Sequence, residues 1–186
     1  MNEIWLIRHG ETAWSLSGQH TSRTDLPLTE QGERRAGDVR RMLGGKRFAL
    51  VLSSPTKRAL ETCKLAGYSA EVSEDLCEWD YGEYEGLTTA QIQTRAPGWT
   101  IWTGAVPGGE TAEQVGARAD RVIARVTGAA GDVALFGHGH FSRVLAARWV
   151  GLGVPEGRLL ALSTGSVSVL GYERDARVVQ GWNRTE

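Results

Sequence analysis

Two histidines of this chain, His9 and His138, follow directly after short apolar runs and have glycine beside them. Such runs predict buried strands, and ligands of open α/β sheets bind at the carboxyl ends of the strands. Arg8 adjoins His9, and Arg58 falls in the first turn of the helix expected after the second strand. Two imidazoles and two guanidiniums close to helix N-termini predict a site that binds an oxyanion.

The elements that must position these residues alternate between strand and helix. Apolar runs predict strands at residues 4–7, 48–52, 132–136, 159–162, 166–172 and 178–182, with a short one near Val72. Capping patterns and helical spacing predict helices that begin near Thr29, Pro55, Thr88, Thr111 and Phe141. Loops are expected at residues 15–27, 76–87 and 97–109.

The alternation favours an α/β fold with three layers, in which helices cover both faces of a mainly parallel central sheet. The strand-only stretch at the end of the chain allows one antiparallel strand. We expect a single domain over residues 1–186, with a small cap or lid around residues 76–109.

Composition excludes several classes of protein. The net charge of −1 over 186 residues gives no basic face for nucleic acid. No apolar run approaches the length of a membrane span, and the N-terminus lacks a signal-peptide pattern. The two cysteines form no disulfide framework, and no cluster has the spacing of metal ligands. We therefore expect a cytoplasmic protein that binds neither membrane nor metal.

Five segments in order resemble the signature motifs of the histidine phosphatase superfamily, which includes the cofactor-dependent phosphoglycerate mutases. They are LIRHGET at residues 6–12, SPTKRA at 54–59, LCEWDYG at 76–82, GGET at 108–111 and GHG at 137–139. Together they span nearly the whole chain. Within the superfamily, the chain looks most similar to small bacterial acid phosphatases once labelled mutases and to the sedoheptulose-bisphosphatase-like branch. The resemblance implies a phosphoglycerate mutase-like fold and the hydrolysis of phosphate monoesters without metal or cofactor.

The resemblance also implies catalytic roles. His9 would attack phosphorus through one ring nitrogen, while the other nitrogen donates to a backbone carbonyl that fixes the tautomer. Arg8, Arg58 and His138 would surround the phosphoryl oxygens and stabilise the charge that spreads over them in the transition state.

Glu78 matches the general acid of the family. It would protonate the leaving oxygen and then take a proton from the water that hydrolyses the phosphohistidine. Other acids in the same segment, Asp80, Glu83 and Glu85, compete for this role. Glu83 is the second choice.

The resemblance assigns six further residues to the substrate pocket: Ser15, Gln19, Thr21, Ser22, Gly139 and His140. Ser15 and His140 stand where many members carry Asn. Aromatic residues crowd the segments 79–84 and 99–102. They are expected to form a hydrophobic cluster under the lid, or alternatively to wall the pocket and set the size of the substrate.

Three functions are open to such a chain. A mutase returns the phosphoryl group to its substrate, a phosphatase lets water take it, and a non-catalytic module only binds a phosphorylated ligand. Mutases resemble this chain but carry a lysine at the position of Thr89 and a longer insertion with two arginines. Here Arg95 is the only arginine between Gly86 and Gly108. A site short of positive charge favours a phosphatase, acting as a monomer or homodimer on a small-molecule phosphate ester.

Overall fold

The structure is a computed structural model that describes residues 2–185. Its strands are β1 (Ile4–Arg8), β2 (Leu50–Ser53), β3 (Glu71–Val72), β4 (Val133–Gly137), β5 (Val167–Glu173) and β6 (Ala176–Arg184). They form one sheet in the order β3-β2-β4-β1-β5-β6. Strands β3, β2, β4 and β1 pair in parallel with one another, whereas β5 is antiparallel to both of its neighbours, β1 and β6. The predicted sheet, mainly parallel with one strand reversed, is therefore confirmed.

Helices cover both faces of this sheet. They are α1 (Ala13–Ser17), α2 (Glu30–Leu43), α3 (Lys57–Leu65), α4 (Thr89–Gln93), α5 (Ala112–Thr127) and α6 (Gly139–Trp149). The sheet has a hydrophobic core on each face, and the side chains of β4 alternate between them. Phe136 packs with α2 and α3 on one face, and Leu135 packs with α5 and α6 on the other. Three layers result. Within residues 2–185, no helix is both long and apolar enough to cross a lipid bilayer.

The long helices begin and end where their sequences provide caps. Thr29 Oγ1 accepts a hydrogen bond from Gly32 N at the start of α2, and Gly44 ends that helix with φ of 56°. Thr111 and Gln114 form a capping box at the start of α5. These short-range signals explain why the predicted helix starts at Thr29 and Thr111 agree with the structure.

Two local expectations are wrong. Residues 159–162 are predicted as a strand, but Leu159 ends a 3-10 helix (Val154–Leu159) and residues 160–162 join no sheet. The carbonyl oxygen of Leu162 instead accepts a hydrogen bond from Arg8 Nη1, so side chains satisfy part of this backbone. The predicted loop at 15–27 also begins within a short helix, α1.

Candidate active site

The carboxyl ends of β1 and β4 lie side by side and carry the two glycine-flanked histidines. Arg8 is paired with Gly137 in the parallel register of these strands, so His9 and His138 follow them as neighbours. Their ring centroids are 5.2 Å apart, and both side chains are buried. Helix α3 follows β2 on the other side of β4 and places Arg58 close enough to act on both rings. The structure thus gathers the residues that the sequence singled out.

A hydrogen bond to the backbone fixes the tautomer of His9. Its Nδ1 lies 2.6 Å from the carbonyl oxygen of Gly10. Since a carbonyl can only accept, Nδ1 carries the proton and Nε2 keeps its lone pair. Burial, reinforced by the charges of Arg8 and Arg58, lowers the pKa of His9 well below its ordinary value. His9 is therefore a neutral imidazole whose Nε2 has a free lone pair.

The two arginines beside His9 are held by backbone oxygens. Arg58 is fully buried and donates to the carbonyls of Thr24 and Ser22, each at 3.0 Å. Arg8 is half-buried and donates to Leu162. Burial lowers the pKa of both guanidiniums, and the charge of Glu78 counteracts this effect. Neither arginine forms an ion pair with a carboxylate of residues 2–185.

Three buried side-chain nitrogens have no hydrogen-bond partner within the described residues: Arg8 Nε, Arg58 Nε and His138 Nδ1. His138 Nε2 lies 2.8 Å from Ser54 Oγ, which can donate to it and leave the proton on Nδ1. An unsatisfied buried donor costs about 1–3 kcal/mol. Because all three belong to residues around His9, a bound oxyanion that paired with them would recover that cost.

Glu78 caps the first turn of α6 with its carboxylate. Oε1 accepts from Phe141 N at 2.7 Å and from Trp79 N at 2.8 Å, and Oε2 accepts from His140 N at 2.9 Å. The side chain is buried and lines the same pocket as His9. Glu83, the second choice for the general acid, is exposed and does not line this pocket. The geometry therefore favours Glu78 for acid–base chemistry.

A pocket of about 390 Å³ opens in front of these groups. Its lining includes most of the residues predicted from the sequence, namely Arg8, His9, Ser15, Gln19, Thr21, Glu78, Gly139 and His140. The fully buried Arg58 and His138 are not part of the lining. Ser22 does not line the pocket either: its N–H donates to Glu85, and its carbonyl supports Arg58. In this structure Ser22 holds Arg58, and its expected contact with substrate stays a prediction.

Residues of the 76–109 segment wall the pocket and also belong to the core. Tyr81 and Trp102 line the pocket and are buried in the hydrophobic cluster that includes α5 and α6. The hydroxyl of Tyr81 lies 2.6 Å from Nδ1 of His140. Tyr81 and Trp102 therefore fit both expectations for these aromatics, since they belong to a hydrophobic cluster and also wall the pocket.

Arg143 lines the pocket but was not expected there. It follows His140 by three positions on α6, so both side chains lie on one face of the helix. That spacing was the only signal in the sequence. The expectation of a site short of positive charge, drawn from the segment around Arg95, therefore needs correction, because Arg143 supplies a further guanidinium from another element.

A neutral histidine with a free Nε2, donors for an oxyanion and a buried carboxylate form a site that can transfer phosphoryl groups. Residues 4–185 match the profile of the histidine phosphatase superfamily (branch 1), and the chain belongs to this superfamily. The resemblance noted in the sequence is thereby confirmed.

Individual relatives agree with this assignment. An acid phosphatase of Mycobacterium tuberculosis is 43% identical over 181 residues, which cover 95% of this chain and 89% of the relative. A sedoheptulose 1,7-bisphosphatase of Saccharomyces cerevisiae is 37% identical over 183 residues, covering 80% of this chain and 68% of the relative. A solved structure of an open reading frame from Mycobacterium tuberculosis is similar with a TM-score of 0.95 and 41% identity, and covers 99% of this chain and 98% of that one.

Proposed function

We propose that this chain is a phosphatase that hydrolyses phosphate monoesters of small metabolites through a phosphohistidine on His9, without a metal ion. The observation that carries the proposal is the 2.6 Å contact of His9 Nδ1 with Gly10, which leaves Nε2 free beside unpaired buried donors. The names of the two relatives, an acid phosphatase and a sugar bisphosphatase, support the same class of reaction.

The first half of the reaction forms the phosphoenzyme. His9 Nε2 attacks phosphorus, the N–P bond forms, and the bond from phosphorus to the ester oxygen breaks. Arg8, Arg58 and His138 donate to the three phosphoryl oxygens that do not leave. Glu78, protonated at the start, gives its proton to the leaving oxygen, and an alcohol departs.

The second half releases phosphate. A water molecule attacks phosphorus while the Glu78 carboxylate takes one of its protons, and the N–P bond breaks. His9 returns to its neutral form with Nε2 free, and Glu78 is protonated again for the next cycle. The backbone N–H groups of residues 79, 140 and 141 hold the carboxylate in position throughout.

The mutase and the non-catalytic module are the alternatives. Arg95 is exposed and does not line the pocket, so the segment 86–108 contributes no cation to it. Arg143 does supply a guanidinium to the lining, beside Arg8, so charge alone does not decide between the two enzymes. The names of the two relatives reported above favour the phosphatase. A module that only binds would not need His9, Glu78 and His138 together, and all of them are present.

Several properties accompany this proposal. A cavity of about 390 Å³ matches a small metabolite rather than a macromolecule. Residues 76–109 would act as a cap on the single domain, since they supply Tyr81 and Trp102 to the pocket wall. Cys63 and Cys77 are free thiols, which supports a location in the cytoplasm. The chain would act as a monomer or homodimer.

The test is phosphate release in EDTA from p-nitrophenyl phosphate, phosphoglycerates and sugar mono- and bisphosphates. We expect turnover by the wild type and a loss of about 10⁴-fold or more in His9→Ala, with an unchanged circular dichroism spectrum. Quenching the wild type in alkali should trap an acid-labile phosphoenzyme that His9→Ala lacks. Interconversion of phosphoglycerates without phosphate release would instead establish a mutase. Inhibition by EDTA would contradict the metal-free reaction.

A further inference from the structure

The β5–β6 hairpin carries a β-bulge close to the end of β6. Val167 pairs with Arg184, and Val169 pairs with Gly181. Three steps along β6 therefore oppose two steps along β5, and one residue of β6 is extra. Asn183 lies within this bulge and has a left-handed backbone, with φ of 53°. Asparagine tolerates this conformation better than most residues that have a side chain. Bulges commonly turn a side chain away from the regular pattern of the sheet.

The side chain of Asn183 binds the segment that precedes β5. Its Oδ1 accepts a hydrogen bond from Ser163 N at 2.7 Å, and its Nδ2 donates to Ser163 Oγ at 3.4 Å. The neighbouring Trp182 donates from Nε1 to the carbonyl of Ala161 at 2.5 Å. These contacts attach residues 161–165, called the 161–165 loop below, to the end of β6.

The same loop holds Arg8 and the end of β1. The carbonyl oxygen of Leu162 accepts a hydrogen bond from Arg8 Nη1. Gly165 N donates to the carbonyl of His9 at 3.0 Å. Since Leu162 lies between the two loop residues that β6 binds, the place of its carbonyl depends on both of those contacts. The bulge in β6 is thus linked through one short stretch of backbone to the arginine beside His9.

The hydrogen bond to Leu162 determines which donors of Arg8 remain for a ligand. Nη1 donates to the loop, whereas Nε is buried and has no partner within the described residues. Arginine binds an oxyanion best with two parallel N–H groups, and Nε with Nη2 form such a pair. Arg8 lines the pocket in front of His9. A carbonyl that restrains Nη1 therefore fixes the direction in which the other two donors point.

We propose that Asn183 is a positioning residue, which acts through the 161–165 loop to aim Arg8 at the phosphoryl group of the substrate. Asn183 does not line the pocket, so it acts without touching substrate. This inference rests on the proposed function, which assigns Arg8 to the phosphoryl oxygens. The left-handed backbone at Asn183 has a role in this arrangement, because it lets an amide at the end of a strand face the loop.

Asn183→Gly is the informative variant. Glycine adopts the left-handed backbone freely, so the change removes the side-chain hydrogen bonds without adding strain. We expect kcat/KM for phosphate esters to fall about 10-fold, and the affinity for inorganic phosphate, measured calorimetrically, to fall by a similar factor. Asn183→Asp keeps an acceptor for Ser163 N and tolerates the same φ, so it should recover most of both losses.

Arg174→Gly is the matched control. Arg174 is exposed in the turn of the same hairpin and also has φ of 53°. Among the non-glycine residues of 2–185, only Arg174 and Asn183 have a positive φ. The control therefore makes the same backbone change at the other end of the hairpin, and it should keep the activity and the phosphate affinity of the wild type. Full activity and affinity in Asn183→Gly, or equal losses in Arg174→Gly, overturn the inference.

Combination with Arg8→Gln distinguishes positioning of Arg8 from a general loosening of the fold. If Asn183 acts through Arg8, adding Asn183→Gly to Arg8→Gln should change the affinity for inorganic phosphate by less than about twofold. A further loss of about 10-fold in the double variant would show that Asn183 acts by another route, and it overturns the inference.

A measurement without turnover separates this inference from the proposed function. The NMR signal of the Arg8 Nε–H group is assigned by its absence in Arg8→Gln. It should shift or broaden in Asn183→Gly and stay in place in Arg174→Gly. That result supports the role of Asn183 even if the wild type hydrolyses nothing. An unchanged Arg8 signal in Asn183→Gly overturns it even if the wild type is an active phosphatase.

Discussion

The guanidinium of Arg8 lies directly against the backbone of Gly139. A Cβ atom at position 139 would be 3.2 Å from Cζ and Nε of Arg8, closer than ordinary contact. The absence of a side chain thus lets the first turn of α6 approach the arginine that flanks His9. Arg8 is confined on the other side by its hydrogen bond to Leu162.

Gly139→Ala should displace Arg8 by a few tenths of an ångström. We expect kcat/KM for phosphate esters to fall about 10-fold, because positioning errors of this order weaken transition-state contacts. Gly137→Ala is the control, since a Cβ there would meet its nearest atom, the oxygen of Leu76, at 3.6 Å. Phosphate release by both variants is measured at several substrate concentrations. Equal activities would mean that Arg8 does not depend on this contact.

Glu78→Gln should slow the hydrolysis of an ester more, the more basic its leaving group is. An amide cannot give a proton, so alkyl phosphates should lose about 10²–10⁴-fold in kcat/KM, which reports on formation of the phosphoenzyme, whereas p-nitrophenyl phosphate should lose much less. The NH₂ group of the glutamine would also face a backbone N–H that now donates to the Glu78 carboxylate. Two donors cannot pair, so the variant should lose about 1–3 kcal/mol of stability, measured by urea unfolding.

Glu83→Gln is the control for the acid, because Glu83 lies in the same segment but is exposed. It should behave like the wild type on every ester. Uniform losses across leaving groups in Glu78→Gln would show that it does not protonate the leaving oxygen. A leaving-group-dependent loss in Glu83→Gln would transfer the role to that residue.

The catalytic end of the site could be predicted from the sequence because it depends on short-range order. His9 and His138 directly follow apolar strands, and parallel pairing of β1 with β4 then makes them neighbours. Arg58 is the second residue of α3, a helix that must begin beside β2. Once the strands are recognised, the placement of these residues follows from the handedness and direction of α/β units.

The place of Arg143 in the pocket wall could not be predicted in this way. Arg143 faces the pocket because Trp102 and the carbonyl of Gly157 hold it there, and these residues come from segments without periodic pattern. The error at residues 159–162 has a similar origin. An apolar run predicts a strand, but Leu159 is 67% exposed, and Leu162 O is used by Arg8 instead of a neighbouring strand.

Glu110→Gln should weaken the attachment of the segment that carries Glu78. Arg118 donates to Glu110 at 2.7 Å and also to the carbonyls of Asp75, Cys77 and Glu78. The Arg118 side chain is only 8% exposed, so loss of its counterion should cost about 2 kcal/mol or more, somewhat less than a fully buried pair. Urea unfolding should show this loss, and kcat should fall as Glu78 loses its fixed position.

The control for Glu110→Gln is Asp120→Asn, which removes the more exposed ion pair between Asp120 and Arg148 on the outer surface of α5 and α6. We expect a change of about 1 kcal/mol or less and unchanged activity. If the two variants lost equal stability and Glu110→Gln kept its full kcat, the Arg118–Glu110 pair would not position Glu78.

Three histidines of the site should make the stability depend on pH near neutrality. Burial, the largest cause, lowers the pKa of His9, His138 and His140 well below the ordinary value of 6.5. In the unfolded chain these side chains titrate near 6.5. Between the lowered value and 6.5 the unfolded state therefore binds more protons, and acid favours unfolding.

The free energy of unfolding should thus be at its plateau above about pH 7 and should fall as the pH drops through about 6.5. Each histidine contributes up to about 1.4 kcal/mol per pH unit in this window. Urea unfolding between about pH 7.5 and 5 measures the slope, above the range in which ordinary carboxylates titrate. His140→Gln should remove about one third of it. A free energy of unfolding that stayed constant or rose toward pH 5 would show that these histidines are not held neutral by the fold.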